Sequence, residues 1–256
     1  MRRTILKSMT LAALLGVVFA AAMMLSNFRV EAEGFPSAKA AVAIDSLIAL
    51  SQTASGSAAT GASAGDTGWV DVLETRIKTS SQKDLVFDVA LQCGIVTDTT
   101  VNSKNGSLST ATARANMAVR VLVDGDPAEP QNSIDATKAT AEGVVYCDRI
   151  QTLTARFSGL NCTADSVTGA VTCADPEMLQ LILKTMNAHA FNFAKVDVGT
   201  GVHTITVQAR AQAGVNFGDD PLGGGLAGAE AFAGAGSLLV EEIRLQRGTD
   251  IIVDIQ

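Results

Sequence analysis

Residues 85–95 read LVFDVALQCGI, and their alternation decides the fold. Leu85, Phe87, Val89, Leu91, Cys93 and Ile95 hold the odd positions, while Asp88 and Gln92 sit among the even ones. A strand turns successive side chains to opposite faces, so this run predicts a long strand with one buried face. The same period recurs outward along the chain. Ala115, Met117, Val119, Val121 and Val123 alternate with Asn116 and Arg120, and Asp124-Gly125 then supplies a turn. Residues 70–78 predict another strand, with Trp69, Leu73 and Ile77 inward. Residues 144–157 read as strand with a change of parity, which a bulge near Asp148-Arg149 produces. Residues 190–198, 202–213, 237–245 and 251–255 complete the strand set.

One segment reads differently. Asp175-Pro176-Glu177 has the chemistry of a helix start: an N-cap, a proline at the first helical position and an acid near the positive end of the dipole. Met178, Leu179, Leu181, Ile182, Leu183 and Met186 follow at helical spacing. Alternation along most of the chain, in place of continuous apolar runs, counts against a doubly wound α/β fold. The expected fold is therefore all-β: an antiparallel β-sandwich, with the jelly roll as one arrangement of it, carrying one short helix.

Three regions follow. Arg2, Arg3 and Lys7 precede an uncharged apolar run at residues 9–25, and Val30-Glu31-Ala32 offers small residues to a signal peptidase, so residues 1–32 read as a signal peptide. The rival reading is a retained membrane anchor. Arg2-Arg3 also admits the twin-arginine export route beside the general one. Residues 33–68 form a low-complexity segment and linker. Val42, Ile44, Leu47, Ile48 and Leu50 admit a short helix there, and residues 51–68 (SQTASGSAATGASAGDTG) read as a flexible tether. Residues 69–256 form the β-sandwich domain, within which the glycine-rich residues 218–236 read as a mobile loop or an assembly contact.

The segment Gly201-Val202-His203-Thr204-Ile205-Thr206-Val207-Gln208-Ala209, with Gly236-Ser237-Leu238-Leu239-Val240-Glu241-Glu242-Ile243 later, resembles the closing strands of secreted jelly-roll modules. The resemblance implies that the strand after the G-x-H-T turn pairs near the final strand. It implies no activity.

Composition narrows the function. The formal net charge is −7, from 19 Lys+Arg and 26 Asp+Glu. Removal of residues 1–32 takes away four cations and one anion and leaves −10. Such a surface repels phosphate and anionic lipid, so no nucleic-acid partner is expected, and the mature chain is expected to be soluble or surface-associated. The four cysteines, Cys93, Cys147, Cys162 and Cys173, all follow the export signal, and an even count in an oxidising compartment predicts disulfides. Cys162–Cys173 is favoured as the closure of a short polar loop around Thr168-Gly169, which leaves Cys93–Cys147 as a clamp between strands. A zinc site needs closely spaced ligand pairs, and the sequence has none.

His189 and His203 are the only histidines, and both fall on apolar parity, where packing outweighs catalysis. Glu241 shares the parity of Leu239 and Ile243, so a buried carboxylate there predicts a structural ion pair with Arg149 or Arg210. Asp124, Asp126, Asp219 and Asp220 are weak candidates for a Ca²⁺ site, since Asp-Gly is also ordinary turn chemistry. No other metal or cofactor is expected. Gly223-Gly224-Gly225 lacks the G-K-[ST] ending of a phosphate loop. Asn105-Gly106-Ser107 and Asn161-Cys162-Thr163 match the N-glycosylation pattern. One Trp and one Tyr do not make an aromatic sugar-binding platform. The expectation is an exported, non-catalytic structural or interaction protein: a subunit of an extracellular assembly or a surface adhesion module, working through a protein partner or self-association. The alternatives are a secreted glycan- or Ca²⁺-binding module and, last, an enzyme of the glycoside hydrolase type. The location follows as extracellular, cell-surface or periplasmic.

Overall fold

The computed structural model describes residues 38–46, 50–103, 108–131, 143–156, 162–173, 177–218 and 224–244. The period-two runs are strands, and several are far longer than the five or six residues usual in globular proteins. In chain order they are β1 (Ala40–Asp45), β2 (Leu50–Ser57), β3 (Ser63–Asp66), β4 (Val70–Thr79), β5 (Lys83–Ser103), β6 (Leu108–Val123) and β7 (Asp126–Pro127). There follow β8 (Val144–Arg156), β9 (Cys162–Ala164), β10 (Val171–Cys173), β11 (Glu177–Val198), β12 (Gly201–Phe217) and β13 (Gly224–Ile243). All the pairings between them are antiparallel.

One sheet runs β1-β13-β5-β11, with β2 also on β13. The other runs β3-β12-β6-β7, with β4 on β12 and β8 on β6. The pairs β1/β2 and β3/β4 are broken strands, each lying along a single partner. Taking each pair as one strand, and setting aside the two-residue β7 and the small β9–β10 hairpin, the first sheet holds the first, eighth, third and sixth strands. The second holds the second, seventh, fourth and fifth. That order, on two facing sheets, is a jelly roll.

The core lies between the sheets and follows the alternation. Leu85, Phe87, Val89, Leu91 and Cys93 of β5 are buried, as are Met117, Val119 and Val121 of β6 and Ile205 and Val207 of β12. Three ties join the sheets through β5 and β8. Cys93 and Cys147 form a disulfide with Cα atoms 6.4 Å apart. Tyr146 Oη donates to the Val89 carbonyl at 2.7 Å. Buried Gln151 accepts from Thr97 Oγ1 at 2.7 Å and donates to Thr99 Oγ1 at 2.6 Å. Burial raises the Tyr146 phenol well above its ordinary pKa, so it remains the donor.

Several expectations need correction. The helix expected after Pro176 is β11: residues 177–195 pair with residues 103–85 without interruption. Apolar residues stand on both faces of β11, and most of them remain exposed, so burial imposes no period of two for a reader of the sequence to find. Residues 51–68, expected as a tether, supply β2 and β3, and the short helix expected in residues 35–50 gives way to β1 at its described positions. The glycine-rich residues from Gly224 onward are not a loop but the central strand β13. Ala227, Ala229, Ala231 and Ala233 are its core face, in the same buried cluster as Ala111, Ala113 and Ala115 of β6 and Ala209, Ala211 and Ala213 of β12. Small residues on every side satisfy close packing there, and low complexity hides a regular period. The β8 irregularity falls between the partners Met117/Cys147 and Ala118/Val145, slightly before Asp148. The strand after the G-x-H-T turn, β12, lies in the opposite sheet from the final strand β13 and does not pair with it.

Among the described residues, β1, β2 and β3 lie in the same two sheets as the strands after residue 68. The expected signal peptide and the strand at 251–255 lie outside the described residues.

Candidate functional site

β11 closes one sheet at its edge, with β5 as its neighbour on one side. On the other side, among the described residues, its partner is a single bridge: Glu129 and Ala194 exchange N–H···O bonds at 2.8 Å each way. That bridge fixes which backbone groups face out. In an antiparallel ladder alternate residues point their N–H and C=O to opposite sides. Ala194 points away from β5, and the β5 register is unbroken from 177 to 195, so the even positions 178–192 also present their backbone groups outward. Leu179, Leu181, Ile182, Leu183, Met178 and Met186 are 40% to 66% exposed on the two faces of this edge. Lys184 is the sole Lys, Arg, Asp or Glu between 178 and 194. Natural sheets blunt their edges with charges, prolines and bulges, and a long apolar edge left open is a pairing surface.

β8 of the other sheet supports this strand. Gln151 Nε2 donates to the Leu181 carbonyl at 2.8 Å, and the Arg149 guanidinium donates to Thr185 Oγ1. Arg149 Nη1 is buried without a hydrogen-bond partner. Beside them lies a cleft of about 300 Å³, lined by Cys93, Tyr146, Arg149, Thr185, Asn187 and His189 among others. Lys195 Nζ donates to the Pro127 carbonyl at 2.9 Å and holds the far end of β11 to the opposite sheet.

The residues singled out from sequence are dispersed. Cys93 and Cys147 join the sheets as described. Cys162 and Cys173 are register partners across the β9–β10 hairpin, whose turn is built by Asp165 Oδ1 accepting the Val167 and Thr168 N–H groups and by Gly169 at φ 68°. The ion pair expected at Glu241 is not formed with either arginine. A register shift between Ala233 and Gly236 moves β13's core face to Leu238 and Val240, which leaves Glu241 exposed. Arg149 binds Thr185, and Arg210 instead forks onto Asp66, with Nε donating at 2.9 and 3.0 Å. Gln212 Nε2 and the Gly68 N–H also donate to that carboxylate, at 2.9 and 2.8 Å. The Arg210 bond holds the Asp66 carboxyl well below the usual carboxylate range, against the opposing pull of burial. Sequence parity gave no sign of Asp66, because its side-chain partners Arg210 and Gln212 come from a strand more than 140 residues away.

Asp124 and His203 meet at a turn. His203 Nδ1 lies 2.7 Å from Asp124 Oδ2, and its Nε2 lies 3.0 Å from the Gly199 carbonyl. The Thr204 N–H donates to Asp124 Oδ1 at 2.8 Å. Both Asp124 oxygens are thus used to fix the turn, with Asp124 itself at φ 52°. Asp126 is exposed, Asp219 and Asp220 lie outside the described residues, and no group of three or more His, Cys, Asp or Glu gathers among the described residues. Trp69 lies under the Arg120 guanidinium, 4.4 Å from its ring centre, so one face of the ring is covered.

Two features bear on hydrolysis. Gly61-Ala62-Ser63-Ala64-Gly65 spells the G-x-S-x-G string of a nucleophile elbow. An elbow sits between a strand and a helix, whereas Ser63 opens β3 opposite Val215 of β12, twelve residues along that strand from His203. A cleft of about 550 Å³ at the Lys83 end of β5 contains Asp84, Asp197 and Glu242. Asp84 Oδ1 accepts the Asp197 N–H at 3.0 Å, Asp197 accepts from Gln82 at 3.1 Å, and Lys39, Lys83 and Arg244 line the same walls. These contacts brace the left-handed Asp197 at φ 57°.

No protein-family model and no curated protein matches the sequence. Among solved structures, the chain is similar at 10% identity to the infectious bursal disease virus Gt strain structure, with a TM-score of 0.14, over 81% of this chain and 43% of that one. It is similar at 9% identity to the infectious bursal disease virus VP2 subviral particle, with a TM-score of 0.16, over 75% of this chain and 41% of that one. The chain thus spans about two fifths of the length of those proteins. Scores this low mark no common fold.

Proposed function

We propose that this protein is an exported, non-catalytic structural subunit, part of an extracellular assembly or a surface adhesion module, whose working surface is the edge of β11. The observation that carries this reading is the edge left open among the described residues: a long run of outward N–H and C=O groups flanked by exposed Met, Leu and Ile side chains, with one lysine to discourage pairing. A strand added there gains main-chain hydrogen bonds and covers apolar side chains on both faces. The disulfide between the sheets fits an oxidising compartment. Sedimentation and electron microscopy of the exported protein over a wide concentration range test the reading. Concentration-dependent oligomers or filaments are expected. A monomer at every concentration contradicts the assembly role.

A further inference from the structure

We infer that the strand received by β11 is β11 of a second copy, laid antiparallel across a two-fold axis at Met186. The inference rests on the reading of β11 as the working edge and names its partner. A two-fold perpendicular to the sheet keeps each face on its own side, so odd residues meet odd and even meet even. The even residues carry the outward N–H and C=O groups, so each even–even pair closes a hydrogen-bonded pair.

The sequence of β11 is complementary to its own reverse about Met186. With Met186 opposite itself, Gln180 meets Asn192, Ile182 meets Ala190 and Lys184 meets Ala188. Large side chains of one half thus meet small ones or an amide of the other. On the opposite face Leu181 meets Phe191, Leu183 meets His189 and Thr185 meets Asn187, the aliphatic–aromatic and polar pairs that stabilise neighbouring strands.

Two constraints fix the axis. A shift towards Thr185 or Lys184 brings the two lysines diagonal to or directly opposite each other, and like charges there are destabilising. With the axis at Met186, Ala194, whose N–H and C=O are held by Glu129, falls opposite Met178 and ends the ladder at Gln180–Asn192, and a shift towards Asn187 or Ala188 brings it opposite Gln180 or Ile182 and shortens the ladder further. The paired residues 180–192 at about 3.4 Å each make an edge about 44 Å long. Covering that edge through a depth of roughly 10 Å removes on the order of 900 Å² from the two copies together, near the lower limit for a specific interface.

Cross-linking and one proline test the geometry. Met186→Cys places two thiols on residues about 5.5 Å apart at Cα, within disulfide range, so mild oxidation of the full exported protein is expected to give a covalent dimer. Ala190→Cys, which sits opposite Ile182, is expected to give none. Ala188→Pro removes one outward N–H and leaves the β5 ladder intact, so dimerisation is expected to weaken at least tenfold while circular dichroism stays that of a β-sheet protein. Oligomers that form without the Met186→Cys link, or that survive Ala188→Pro unchanged, overturn this pairing and leave the assembly role standing. A monomer at every concentration overturns both.

Discussion

Gly94 of β5 stands opposite Phe232 of β13, and a Cβ added to it falls within the Phe232 ring. The ring thus covers a position where any side chain collides. Gly94→Val is expected to cost about 1–3 kcal/mol in urea unfolding, as overpacking does. An unchanged midpoint would show that Phe232 does not lie there. Asp66 gives a pH signature. Its folded pKa is depressed, so the stability it contributes is present above the unfolded value near 4 and is lost as pH falls through the lower folded value. The difference in stability between the wild type and Asp66→Asn is expected to be flat above about pH 5 and to shrink below about pH 4. The pair is about one-third exposed and screened, so the plateau is expected to stay below ~1 kcal/mol. A difference that grows on acidification would contradict the Arg210 fork.

At the scale of elements, the Cys93–Cys147 bond closes 54 residues and clamps one sheet to the other. By the chain-entropy relation, its removal in the double Cys→Ser variant is expected to cost about 4 kcal/mol, read as a lowered Tm in reductant-free buffer. A Tm within a degree of the wild type would mean the sheets are held by packing alone. The β9–β10 register places Cys173 opposite Cys162, so peptide mapping without reduction is expected to recover those two residues in one linked fragment. Linkage of either to Cys93 or Cys147 would contradict both pairings. Legibility at this scale tracked one condition. β5, β6 and β12 could be read from sequence because one face is buried and the other wet, which writes a period of two into the residues. The first half of β11 could not, because most of both its faces are exposed, and the glycine-rich half of β13 could not, because its buried face is alanine; their ends at 190–198 and 237–243 read as strand. The edge that matters most was hidden by the same exposure that makes it an edge.

For the whole molecule, two sheets and a cross-sheet disulfide followed from period and cysteine arithmetic, whereas the order of strands did not. Antiparallel alternation is the same in every sandwich, and only the non-local pairings, such as β13 between β1 and β5, make this one a jelly roll. The ion pair at Glu241 failed for a related reason: one register shift in β13 reverses parity downstream, and nothing in the local residues marks it.

Amide hydrogen exchange along β11, followed against protein concentration, tests most directly whether this strand is an open edge made for pairing. In dilute protein, odd-numbered amides from 179 to 191 are expected to be protected by β5 and even-numbered ones from 180 to 192 to exchange quickly. As concentration rises, the even set is expected to become protected while the odd set does not change. Uniform protection at all concentrations, or even-numbered amides that stay fast however concentrated the protein becomes, would contradict it.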